Sequence, residues 1–250
     1  MIEVIYILCL RQLKHYWRSK TRLIGSLGQP LLFLIAFGFG IGPMYSRANG
    51  GADYINFLAP GIITMGILFT AVFSGLEVIW DRQFGFLKET MVAPISRTEI
   101  MIGKTFGGAT IAIIQGLLVL SLTYLIGFRI TSLGSLVLGL VFMFLIAVFF
   151  TGLGLSIASK MKDMQGFQMI LNFLKMPIFF LSGALFPITN LPPAILFISR
   201  IDPLTYGVDG LRGAITGIST FGIYSDLAVI GVLSLLICAV GTVLFSKIEA

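Results

Sequence analysis

Six long apolar runs, at 23–42, 57–80, 102–127, 133–159, 166–186 and 223–246, leave this chain almost no water-facing sequence. About 20 apolar residues cross the hydrocarbon of a bilayer as a helix. A helix also satisfies all of its own backbone N–H and C=O groups there. The runs therefore predict an all-α integral membrane protein with six transmembrane helices. Charge supports this. Only 11% of residues are charged, against about 25% in soluble domains, too few to coat a soluble surface. The fourth run is long, which implies tilt or ragged ends. Connections are short except 81–101 and 187–222, so residues 1–250 read as a single transmembrane domain.

Lysine and arginine set the expected orientation. Arg11, Lys14, Arg18, Lys20 and Arg22 precede the first run, and Arg82, Lys88, Arg97 and Lys104 follow the second. Lys160 and Lys162 follow the fourth run and Lys247 the sixth, whereas the opposite side carries only Arg47, Arg129, Arg200 and Arg212. The richer side is read as cytoplasmic. Both termini are then inside, as an even number of spans requires, in a multi-pass protein of the cell membrane. The net charge of +6 reports this topology, and no motif points to nucleic acid. Ser46-Arg47-Ala48 resembles a small-x-small cleavage site. The run before it is a full span, longer than a signal-peptide core of about 7–15 residues, so an uncleaved span is expected.

Residues 2–22 read as a helix lying on the membrane. Tyr6, Leu10, Leu13 and Trp17 share one face, flanked by Cys9 and Tyr16, while Arg11, Lys14, Arg18 and Arg22 share the opposite one. Aromatic and basic faces back to back are the pattern of an interfacial helix. Plain topogenic charge before the first span is the simpler alternative.

Little here supports catalysis. Cys9 and Cys238 have no metal or redox spacing, and His15 is the single histidine. Buried acids are nearly absent, which disfavours a membrane enzyme. Gly103-Lys104-Thr105 ends like a P-loop, but Thr98 stands where that pattern needs its first glycine. The chain is not expected to be an enzyme, and it has no nucleotide-binding motif.

Segment 81–101 is charged and amphipathic. Phe84, Leu87 and Met91 recur at helical spacing, Pro94 breaks the pattern, and Ser96 with Glu99 forms a capping box for a helix from Arg97. Phe84-Gly85-Phe86-Leu87-Lys88-Glu89, then Ala93-Pro94-Ile95-Ser96-Arg97, then Gly103-Lys104, resembles the signature of type-2 ABC exporter permeases. That family includes drug-resistance and lipooligosaccharide export subunits. The resemblance continues at Ser182-Gly183-Ala184-Leu185-Phe186-Pro187, Leu191-Pro192-Pro193, Asp202-Pro203-Leu204-Thr205-Tyr206 and Leu211-Arg212. It implies a coupling helix within 82–92 that docks on a separate P-loop ATPase subunit. The contact residues would be Phe84, Gly85, Phe86, Leu87, Lys88, Glu89, Pro94 and Arg97, with Glu89 at the family's acidic position. ATP and Mg would be bound by that partner, with no cofactor in this chain. A second permease copy would complete a homodimer, and 187–222 would form extracellular re-entrant helices. A plain outer loop with an interfacial helix is the alternative there.

Polar residues inside the spans mark a translocation path or dimer interface. In the fifth run Gln165, Gln168, Asn172, Lys175 and Ser182 form a stripe, and Pro177 is expected to kink it. The second run carries Gly66, Thr70, Ser74 and Glu77. An intramembrane lysine is costly unless it pairs, snorkels or meets water. Lys175 therefore either lines a path or snorkels, and pairing with Glu77 is a third option. Gly103 and Gly107 predict close helix packing. The function expected is outward movement of an amphipathic drug, lipid or glycoconjugate. An ATP-independent secondary transporter or channel is the alternative; inverted repeats would favour it, and none is visible.

Overall fold

The computed structural model describes residues 2–48, 54–92, 95–130 and 132–247. These residues are all-helical. In chain order they form α1 (Ile2–Arg18), α2 (Lys20–Ala48), α3 (Tyr54–Phe73), α4 (Gly75–Gln83), α5 (Phe86–Val92), α6 (Arg97–Ile126), α7 (Leu133–Lys160) and α8 (Met164–Leu181). A single 3-10 turn at Ile188–Asn190 follows, then α9 (Pro193–Ile201), α10 (Pro203–Thr216) and α11 (Ile223–Ser246).

Among the described residues, five stretches are long and apolar enough to cross a membrane: Ile24–Arg47, Tyr54–Gln83, Arg97–Ile126, Leu133–Lys160 and Ile223–Ser246. The fifth expected run is helical as α8 and continues through Pro177. It is not one of the five despite its 18 residues, because it includes Gln165, Gln168, Asn172 and Lys175. These side chains dilute its apolar character.

The most apolar material is at the centre. Along α3, Leu58, Ile62, Ile63 and Met65 are fully buried, and from α7 Phe142, Ile146 and Phe150 join them. α2 and α11 flank this core, with only 17% of the residues in each apolar span buried. The second run is not one continuous helix. Ser74 separates α3 from α4, donating its backbone N–H to Ala71 O at 3.1 Å. Close packing on α7 accompanies the break. A Cβ at Gly75 would overlap the Gly154 carbonyl, and one at Gly154 would overlap the Val72 carbonyl.

Capping chemistry sets the start of α6. Ser96 N–H donates to Glu99 Oε2 at 2.8 Å and Glu99 N–H donates to Ser96 Oγ at 3.2 Å, the capping box read from the sequence. α1 stops at Arg18, short of the expected residue 22. On its aromatic face Tyr6 and Trp17 are exposed, while Leu10 and Leu13 are half-buried. Leu8 and Gln12, which the sequence reading does not name, are buried, as is Tyr16 from the flank of the aromatic face. Two of these meet α6 where Gly103 and Gly107 leave room: Cβ atoms there would strike Leu8 and Gln12. The close packing predicted for this glycine pair is therefore present, with α1 as the partner.

At the opposite end Arg212 ties three segments together. It is buried, and its guanidinium donates to Phe57 O at 3.3 Å and Gly183 O at 2.9 Å while lying 3.9 Å from the Phe57 ring centroid. Tyr54 Oη donates to Leu185 O at 2.8 Å beside it. Asp202 caps α10, accepting from Leu204 N–H at 2.9 Å.

Candidate functional site

Two arrangements bring the sequence-predicted residues together. The first joins the ends of α1, α4, α5 and α6. Asp81, near the end of α4, accepts from Lys104 Nζ at 2.5 Å and from Arg11 Nη2 at 2.8 Å. Lys104 is only 2% exposed, so the pair is held away from water. Arg11 also lays its guanidinium over the Phe86 ring, 3.6 Å from the centroid, a cation–π contact. Next to it, Arg82 donates to Met161 O at 2.9 Å and Ser159 O at 3.4 Å, at the carbonyl-rich end of α7.

α5 is thus anchored from beneath and open above. Leu87 is buried, whereas Phe84, Glu89 and Val92 are exposed, Phe84 by 82%. Gly85 makes the turn into α5 with φ +79, a conformation that suits glycine. Arg97 is exposed and donates to the Ser246 carbonyl, linking the start of α6 to the end of α11. The Lys88 side chain and Pro94 lie outside the described residues.

The second arrangement is a cavity of about 490 Å³ between α2, α3–α4 and α8. Thr70, Glu77, Gln168 and Lys175 all line it, with Tyr16 of α1 and Trp80 of α4. Lys175 is 8% exposed, and its Nζ lies 5.0 Å from the Phe69 ring centroid and 4.7 Å from that of Phe73. It folds onto aromatic faces within the cavity that Glu77 also lines. Three predicted members of the stripe, Gln165, Asn172 and Ser182, do not line it. Asn172 is exposed. At 3.6 residues per turn Gln168 and Lys175 are within about 20° of each other, while Asn172 is turned about 60° from Lys175. Ser182 follows the end of α8, donates to Phe179 O at 2.8 Å, and lines a separate cavity of about 280 Å³ with Asp209 and Arg212. Among the described residues, no group of three His, Cys, Asp or Glu side chains could hold a metal ion.

The sequence matches the ABC-2 type transporter family over residues 3–216, from the first turn of α1 to the last residue of α10. This chain belongs to the ABC-2 type transporter family. It is 30% identical over 221 residues to the transport permease ycf38 of Pyropia yezoensis, covering 85% of this chain and 74% of the relative. Nodulation protein J of Rhizobium leguminosarum bv. trifolii is 27% identical over 205 residues, 80% and 77% of the two chains. The inner membrane transport permease YadH of Escherichia coli strain K12 is 28% identical over 200 residues, 77% of each. The relatives named as permeases are transport proteins, which agrees with the sequence-based expectation of a permease.

For an ABC-2 chain, the residues that sequence reasoning missed are Asp81, Lys104 and Arg11 acting together. Lys104 was read as topogenic charge. One signal was available: Asp81 is one of only 11 acidic residues and closes an apolar run, where an unpaired carboxylate is costly.

Proposed function

We propose that this ABC-2 chain is the membrane subunit of an ATP-binding-cassette exporter driven by a separate P-loop ATPase. On this reading α8 is the fifth span and α11 the sixth, α5 is the coupling helix, and α9–α10 form re-entrant helices on the outer side. Both termini face the cytoplasm across the cell membrane. Two copies pair, and the partner ATPases hold ATP and Mg. The cargo is amphipathic: a drug, a lipid or a glycoconjugate.

One observation carries the reading. α5 presents Glu89 and Val92 to solvent, with exposed Phe84 in the turn just before it, while Arg11 and Leu87 fix it to the body. Exposed apolar side chains beside a charge suit a docking knob. The Arg11–Asp81–Lys104 network joins α1, α4 and α6, so a push on α5 reaches three helices at once. ATP-driven closure would then shift the balance between inward- and outward-open states, which is all that transport requires.

The test is gentle purification of the tagged chain from its native membrane, wild type beside Glu89→Arg, with identification and assay of any associated ATPase. A P-loop ATPase should accompany wild type, and Glu89→Arg should lose it or its stimulation. A chain that emerges alone and transports without ATP would overturn the reading.

A further inference from the structure

The cavity beside Lys175 contains an uncompensated charge. Among the described residues no oxygen accepts a hydrogen bond from Lys175 Nζ and no carboxylate pairs with it; its contacts are the ring faces of Phe69 and Phe73. A protein that buries a cation leaves it unpaired at a cost. Snorkelling does not relieve that cost here. Lys175 lies 11 residues into α8, about 16 Å along the helix from its start, and its amine turns inward onto rings. Glu77, the carboxylate in the same cavity, is already engaged in another interaction.

The surroundings match an amphiphile. Phe69, Phe73, Leu76 and Trp80 provide apolar wall around Lys175. Gln29 and Gln168 line the same cavity, and their side-chain amides have no protein partner among the described residues. Gly25 and Gln168 are exposed, so the cavity reaches the surface between α2 and α8. A volume of about 490 Å³ is within the range of small-molecule sites.

We infer that this cavity binds an anionic amphiphile, with its acid group at Lys175 and its apolar part against Phe69, Phe73, Leu76 and Trp80. This deepens the exporter reading by giving the cargo a charge, and it rests on that reading only for calling the ligand cargo. The acid can be a carboxylate or a phosphate ester, since an unpaired ammonium serves both.

The test needs no ATPase. The chain has two tryptophans, and Trp17→Phe leaves Trp80 as the reporter at the cavity wall. The full chain in neutral phosphatidylcholine nanodiscs is titrated with terminally brominated dodecanoate, dodecyl phosphate and dodecyltrimethylammonium, reading quenching of Trp80. At least one acid should quench saturably at roughly tenfold lower concentration than the ammonium probe, a preference of about 1.4 kcal/mol. Lys175→Met should abolish that preference and Lys175→Arg should keep it. Quenching by the phosphate alone marks a phosphate-ester headgroup, by the carboxylate alone a carboxylic acid, and by both a general acid site. Equal midpoints for acids and ammonium, or a preference that survives in Lys175→Met, would overturn the inference. An ATPase that co-purifies in either case leaves the exporter reading standing.

Discussion

Arg11 and Phe86 meet face to face, guanidinium over ring at 3.6 Å, and this contact carries α1 onto α5. Because Arg11 also holds Asp81 at 2.8 Å, one side chain serves an aromatic partner and a carboxylate. Cation–π pairs contribute about 0.5–2 kcal/mol, the higher value when desolvated. Arg11 is partly exposed, so the lower half of that range is expected. A double-mutant cycle with Arg11→Ala and Phe86→Ala, read by thermal unfolding in detergent, should show positive coupling of about 0.5–1 kcal/mol. Purely additive effects would mean the contact contributes nothing.

Lys104 and Asp81 should respond unequally to substitution. Removing Asp81 strands Lys104, which is 2% exposed. Breaking a buried pair that way costs about 3–5 kcal/mol. Removing Lys104 leaves Asp81 with Arg11 still bonded. Asp81→Asn is therefore expected to lower the yield of folded protein and its unfolding temperature more than Lys104→Met does. The reverse order would show that Arg11 gives Asp81 little support.

The two close-packed glycine contacts also make a graded prediction. At Gly75 a new methyl would meet the Gly154 backbone carbonyl, which cannot swing away. At Gly107 it would meet the Gln12 side chain, whose end can rotate. Overpacking costs typically 1–3 kcal/mol, so Gly75→Ala should lose about that much or more and Gly107→Ala distinctly less. Thermal unfolding of the two variants side by side checks the order.

Asp202 links the α9–α10 end of the fold to pH. Burial pushes its carboxyl up to about 7 from an ordinary 3.8, against the Leu204 N–H that pulls it down. The folded protein then holds a proton that the unfolded chain releases. This contribution is fully present below the ordinary value and is lost as pH rises toward about 7. Asn also caps helices well, so Asp202→Asn should fold and should flatten the fall in stability between roughly pH 4 and 7. An unchanged pH profile would show that Asp202 does not contribute to it.

Local rules made much of this fold legible in advance. Apolar length located the long helices, Ser96 and Glu99 fixed the start of α6, and Gly103 with Gly107 announced a close contact. Residues that depend on distant partners were not legible. The break at Ser74 accompanies a contact with α7, about 80 residues later. In the sequence Arg212 counts only as topogenic charge and as part of the family motif, yet it is buried against carbonyls of Phe57 and Gly183. At the candidate site, periodicity brought Gln168 and Lys175 to one cavity with Thr70 and Glu77. It grouped Asn172 and Ser182 with them too loosely, because a stripe on one helix does not say how wide a facing wall is. Asp81 escaped notice because its two partners come from helices on either side of it in sequence, and pairing across 70 and 23 residues leaves no periodic trace.

The Asp81–Lys104 pair has a consequence for biogenesis. While a nascent chain enters the bilayer, lysines weigh heavily in deciding which loops stay behind, and aspartates weigh little. Lys104 therefore counts as a full positive signal during insertion. Once the helices assemble, Asp81 cancels it. The charge read by the insertion machinery and the charge shown by the mature surface are thus different quantities, and one residue contributes to the first while vanishing from the second.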